Sequence, residues 1–101
     1  MANPIADLPR YIPLPRQQYL YQNEGRIRSL ALPARTTDPQ VAIHLDYMLF
    51  AEDLLDRHAV AVVANRKAPN REHAALEHEI LVAKAEQLKL YHLDQLAHLL
   101  I

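Results

Sequence analysis

From residue 39 onward, apolar residues recur with the period of an α-helix. The first such run, about 39–65, contains no glycine and no proline after its first residue. Asp38-Pro39 is typical of a helix start, because aspartate caps free amides and proline suits the first helical position. One apolar stripe holds Val41, Leu45, Met48, Leu55 and Val62, and an adjoining stripe holds Ile43, Tyr47, Phe50 and Leu54. The pattern predicts a helix over about 39–65.

A second helix is predicted over about 70–100, with Asn70 as its N-cap. The turn between the helices is Arg66-Lys67-Ala68-Pro69, whose basic residues suit a helix C-terminus. A connection this short favours antiparallel neighbours. The apolar side of the second helix consists of Leu76, Ile80, Leu81, Leu88, Leu96 and Leu99. Residues 38–101 are therefore expected to form an antiparallel two-helix hairpin.

The first 37 residues differ in composition from the rest of the chain, and we interpret them as an extended arm of the same single domain, 1–101. The segment LPRYIPLPR, 8–16, holds three prolines, so we expect no helix within 1–16 and an ordered strap along the helices. Gly25, flanked by tyrosines and by Arg26-Ile27-Arg28, favours a small β-hairpin over about 17–32. An irregular loop is the alternative.

Two helices share one seam, yet both are apolar over more of their circumference than one seam covers. Large exposed apolar patches mark interfaces, so we expect the chain to form a dimer or higher oligomer in a four-helix arrangement. The residues predicted to self-associate are Leu45, Met48, Leu55, Val62, Leu81, Leu88, Leu96 and Leu99.

Composition narrows the cellular context. The formal net charge is −1, so the whole chain has no general attraction for nucleic acid. Cysteine is absent, which excludes disulfides, thiolate catalysis and zinc–sulfur sites. The N-terminus lacks a secretory pattern and no apolar run is long enough to span a membrane, so we expect a cytoplasmic protein. Arginine outnumbers lysine, a composition common in bacteria with GC-rich genomes and in their phages.

The six histidines do not occur at the spacings that place two metal ligands on one helix, Glu-x-x-His or His-x-x-x-His. Only His73 with Glu77 and Asp94 with His98 share a face at i,i+4. We therefore expect no metal and no cofactor, with surface or interface histidines as the main interpretation and a pH response as a second one. With one serine, Ser29, and one glycine, the chain offers no catalytic residue or phosphate-binding loop that we would name.

Arginine and tyrosine are concentrated in the N-terminal arm, where both residue types are common in protein–protein hot spots. The candidate partner-binding residues are Arg10, Tyr11, Arg16, Tyr19, Tyr21, Arg26 and Arg28. We therefore expect a non-enzymatic, self-associating protein–protein interaction module. A nucleic-acid-binding regulator that uses the arm is the alternative, and a small-ligand- or metal-binding helical bundle is a second alternative.

Overall fold

The computed structural model describes residues 12–101, which form three α-helices and no strand. The helices are α1 (Leu14–Ala34), α2 (Pro39–Lys67) and α3 (Glu72–Leu100). The prediction of a mainly α-helical protein is confirmed. Residues 1–11, which include Arg10, Tyr11 and the start of the expected strap, lie outside the described part of the chain.

Helix α2 begins where the sequence predicts. The Asp38 carboxylate accepts hydrogen bonds from the backbone amides of Gln40 (3.0 Å) and Val41 (3.4 Å), and Pro39 occupies the first turn. Helix α3 begins later than expected, and the prediction that Asn70 caps it is wrong. Asn70 has φ of 62°, a left-handed conformation that asparagine tolerates, so this residue closes the turn after α2 and Arg71 precedes the helix instead.

Helices α2 and α3 run antiparallel along a common seam. His44 and His58 of α2 pair with His92 and His78 of α3, so the position in α3 falls as the position in α2 rises. The same register places Ala51 opposite Ala85 (both buried), seven residues from each histidine pair. Small side chains at this layer allow the two helices to approach closely.

Residues 17–32 lie wholly within helix α1, so the prediction of a β-hairpin is wrong. Leu20, Ile27 and Ala31 are spaced at i, i+7 and i+11, and as helical residues all three are fully buried. This packing outweighs the weak strand preference of the neighbouring tyrosines, because tertiary burial commonly overrides propensity. Gly25 does not adopt the positive φ that the hairpin required.

The start of α1 also differs from the expectation of no helix within 1–16, since the helix begins at Leu14. Pro15 lies in the first turn, where a helix needs no amide donor from its residues, so proline is tolerated there. Ile12 is buried in the core, and Arg16 forms an ion pair with Asp94 at 2.7 Å. The described end of the segment thus packs on the chain's own helices, partly as helix rather than as an extended strap.

The hydrophobic core lies where α1 crosses the hairpin. Its buried members are Ile12, Leu20, Ile27, Ala31, Val41, Leu45, Met48, Leu90, Leu93, Leu96 and Ala97. The core residues of α2 fall within 41–48 and those of α3 within 90–97, so α1 covers only one half of the hairpin. The other half, toward the turn at 68–71, continues as two helices.

Replacing Gly25 with Ala distinguishes helix from hairpin by the sign of its effect. Gly25 is inside α1, and a Cβ built there meets no atom within 4 Å. Alanine should therefore raise the free energy of unfolding by about 0.5–1 kcal/mol, measured by urea denaturation. A lower stability would indicate that residue 25 needs the conformational freedom of glycine, as a hairpin turn would.

Candidate interaction surface

The side of the hairpin that faces α1 is marked by polar contacts. On α2, Glu52 pairs with Arg28, and Asp46 with Arg35. On α3, Asp94 and Glu86 contact α1 side chains in the same way. At about 100° per residue, four apolar residues of α2 lie roughly half a turn round from Glu52, although Asp46 is only about 40° from one of them, Phe50. Three apolar residues of α3 lie about 120–160° round from Asp94 and Glu86. These seven residues share one side of the hairpin. They form what we name the back face: Ile43, Tyr47, Phe50 and Leu54 of α2 with Leu81, Leu88 and Leu99 of α3.

The back face is exposed although it is apolar. Ile43, Tyr47 and Phe50 are each more than half exposed, at 53%, 53% and 54%. Leu81 and Leu99 are also exposed, while Leu54 and Leu88 are partly buried. The α3 residues span about 27 Å of helix and the α2 residues about 17 Å, and two packed helices are roughly 18 Å wide, so the face covers roughly 400 Å². The largest apolar patch on a typical monomer is of about this size and is often functional.

The residues predicted to self-associate fall into two groups. Leu45, Met48 and Leu96 are buried in the core of one chain, where α1 covers them. Leu55 and Val62 continue the buried α2 stripe that begins at Val41 and Met48, at seven-residue spacing, and Val62 is itself buried. The second group, Leu81, Leu88 and Leu99, lies on the back face. The more exposed residues of the back face are Ile43, Tyr47 and Phe50. They belong to the second apolar stripe of α2, which is outside the set of residues predicted to self-associate.

The described arm residues predicted to bind a partner mostly contact the chain's own helices. Arg16 pairs with Asp94 at 2.7 Å and lies over the Tyr19 ring, 4.6 Å from its centre. The Tyr21 hydroxyl donates a hydrogen bond to Glu86 at 2.6 Å, and burial together with this carboxylate raises the pKa of Tyr21. Arg26 is exposed.

Arg28, also predicted to bind a partner, belongs to a cluster of four charges that joins all three helices. It contacts Glu24 of α1 at 3.2 Å and Glu52 of α2. Lys89 of α3 reaches the same two carboxylates, at 2.8 Å and 3.6 Å. The four side chains are between 16% and 32% exposed, so water screens them less than surface charges. We name these residues the charge cluster, and its contacts connect α1 to both helices of the hairpin.

An open cleft of about 440 Å³ adjoins the charge cluster, and its further lining residues are Gly25, Leu55 and Asp56. The two cations of the cluster neutralise two of the three carboxylates around this cleft. Elsewhere, His73 lies 3.7 Å from Glu77 and His98 lies 3.5 Å from Asp94, in the two i,i+4 pairs noted in the sequence. Within residues 12–101, no three histidine, aspartate or glutamate side chains are grouped to hold a metal ion.

Sequence reasoning missed two contacts between histidines on different helices. His44 Nδ1 lies 2.9 Å from His92 Nδ1, and His58 Nδ1 lies 2.9 Å from His78 Nδ1. The Tyr47 ring of the back face stacks on His92, with ring centres 5.0 Å apart and planes 11° apart. The signal in the sequence was the equal spacing, since His44 and His58 are 14 residues apart, as are His78 and His92.

Comparison of the chain with protein-family models, with curated proteins and with solved structures finds no match. None of the three helices of the described residues is long and apolar enough to cross a membrane.

Removing the Lys89 charge tests the charge cluster. In Lys89→Met, Glu24 and Glu52 compete for Arg28 alone, and the free energy of unfolding should fall by about 1–2 kcal/mol, between the values for exposed and buried pairs. The control is Arg57→Met, because Arg57 and its partner Asp53 are 73% and 53% exposed. Urea denaturation at neutral pH should show little change for the control. Equal losses for both variants would contradict a structural role of the cluster.

Proposed function

We propose that the protein is a non-enzymatic, self-associating protein–protein interaction module in which two copies pair through the back face. The observation that carries this proposal is the exposure of Ile43, Tyr47, Phe50, Leu81 and Leu99 on the side of the hairpin that α1 leaves open. Pairing would place four helices, two from each copy, around a shared apolar layer. That is the four-helix arrangement that the sequence pattern favours.

A second copy suits the back face better than an unrelated partner for two reasons. An apolar surface matches itself about a two-fold axis without any need for complementary charges. Two faces of roughly 400 Å² also bury roughly 800 Å² in total, the size of a weak, transient interface. The expected dimer is therefore of modest affinity, and its assembly depends on concentration.

Pairing through the back face leaves other surfaces for a macromolecular partner. Helix α1 lies on the opposite side of the hairpin and exposes Arg26 and Leu32. The uncovered half of the hairpin exposes Val60 and Val63 beside an apolar groove that also includes Ala59 and Ala64. On this proposal the protein acts in the cytoplasm by occupying a macromolecular surface, as an adaptor, an assembly factor or a small inhibitor.

The oligomeric state tests the proposal. At tens of micromolar, light scattering after size exclusion should give a mass near twice the 11.6 kDa of one chain. Phe50→Glu places a charge in the apolar layer and should shift the mass to that of a monomer, because burying an unpaired charge is costly.

The matched control is Leu32→Glu, which makes the same change at an exposed residue of α1 on the opposite side. This variant should keep the mass of the wild type. A monomeric wild type would overturn the proposal, and so would a dimer that tolerates Phe50→Glu.

A further inference from the structure

Each of the two histidine pairs joins α2 to α3 by a head-on contact of imidazole rings. In the His44–His92 pair the ring centres are 5.2 Å apart and the Nδ1 atoms 2.9 Å apart. The corresponding values for His58–His78 are 5.1 Å and 2.9 Å. The difference in each pair is about twice the distance from a ring nitrogen to its ring centre, so the two nitrogens point directly at each other.

Such a contact is a hydrogen bond between one imidazole that carries hydrogen on Nδ1 and another whose Nδ1 is free to accept. A metal ion is a poor alternative in this arrangement. An ion on the line between the nitrogens would need them about 4 Å apart, since bonds from imidazole nitrogen to Zn²⁺ are about 2.0 Å. The geometry therefore favours a direct hydrogen bond in both pairs.

We propose that the two histidine pairs are acid-sensitive clasps that hold α2 and α3 together while at least one imidazole of each pair is neutral. With no proton or one proton added, a pair keeps its hydrogen bond. With two added protons, both Nδ1 atoms carry hydrogen, both rings are positive, and the contact becomes repulsive. The clasp then opens. This inference concerns contacts within one chain and does not depend on the back face being a dimer interface.

The surroundings of the pairs contain little that would stabilise a second positive charge. The Tyr47 ring of α2 and the Tyr91 ring of α3 pack against His92, which is 8% exposed. Arg16 and Arg28 of α1, and Arg35 at the end of that helix, form ion pairs with Asp94, Glu52 and Asp46 rather than with the paired histidines. Among the described residues, no carboxylate comes within 4.0 Å of any of the four paired histidines.

The direction of the pKa shifts in the first pair agrees with this geometry. Burial, and secondarily the nearby His44, lowers the pKa of His92 to about 4, and burial lowers the pKa of His44. An imidazole with a lowered pKa in the folded state takes up its proton mainly on unfolding. Because the unfolded chain then binds more protons, stability falls as the pH drops from about 6.5 toward about 4.

The position of the clasps explains why opening them would matter. They flank the Ala51–Ala85 layer at equal distance on both sides, and one of them supports Tyr47 of the back face. The clasp at His58–His78 lies in the half of the hairpin that the core residues of α1 do not cover, so α1 does not support the two helices there.

Thermal unfolding at pH 7.5 and at pH 5.5 tests the clasps. Both pH values lie above the pH range in which most carboxylates take up protons, so the comparison reports mainly on histidines. We use the Phe50→Glu background, so that dissociation of paired copies does not contribute, whether or not the wild type pairs. Between pH 7.5 and pH 5.5 the melting temperature should fall reversibly by roughly 10 °C. This is the size expected if the two histidines of each pair together bind one proton fewer in the folded chain than in the unfolded chain.

Two further variants identify the groups responsible. His44→Gln with His58→Gln replaces one partner in each clasp by an amide that still forms hydrogen bonds. The fall should shrink to roughly half, because burial still lowers the pKa of His92. The control, His73→Gln with His98→Gln, changes two exposed histidines and should leave the fall unchanged. An equal fall in the clasp variant, or no fall in the parent, would overturn the inference.

Ring ¹⁵N chemical shifts give a second measurement that needs no variant in the clasps. At pH 7.5 each pair should show one imidazole with hydrogen on Nδ1 and one without. During acid titration His44 and His92 should take up protons at lower pH than histidine in an unfolded peptide, because their pKa values are lowered. If the two rings of each pair show the same Nδ1 state at pH 7.5, the clasps do not exist.

Discussion

The antiparallel packing of α2 on α3 is the interaction on which the other features depend. Its register brings two histidine pairs and an alanine pair into line, and it sets which side of each helix faces outward. One side of the hairpin receives α1, which completes the hydrophobic core and is tied down by the charge cluster. The other side keeps an apolar surface that no described residue from 12 to 101 covers, and this asymmetry is the basis of the proposed pairing.

The sequence predicts the two long helices well because their signals are local. Asp38-Pro39 marks the start of α2 through the hydrogen bonds that the aspartate accepts, and those bonds are present. The start of α3 was predicted less well, since Asn70 suits both a helix cap and a left-handed turn, and only the path of the chain between the helices decides between them.

Helix α1 shows how a few local preferences can mislead. Gly25 and the tyrosines before it favour a hairpin, but Leu20, Ile27 and Ala31 also fit a helical stripe, and Glu24 and Arg28 form an i,i+4 pair. Those helical signals compete with the strand preferences in the sequence, and burial of the helical stripe decides between them. Contacts across helices are a different case. The histidine pairs need the register of α2 against α3, which no single helix specifies.

The same limit applies to the candidate interaction surface. Both apolar stripes of α2 are visible in the sequence, but which one is buried depends on the side that α1 occupies. Leu45 and Met48, expected to meet a second copy, are covered by α1, whereas Ile43 and Phe50 are left exposed. A helix that is apolar on two sides can thus be identified from sequence, while the partner of each side requires the tertiary structure.

The most direct test of pairing through the back face is an isotope-filtered NOE measurement on a mixture of ¹³C-labelled and unlabelled chains. Contacts between copies should connect the side chains of Ile43, Phe50 and Leu81 with the back face of the other copy. Contacts between copies that arise only from Val60 and Val63, or no such contacts at concentrations of hundreds of micromolar, would contradict pairing through this surface.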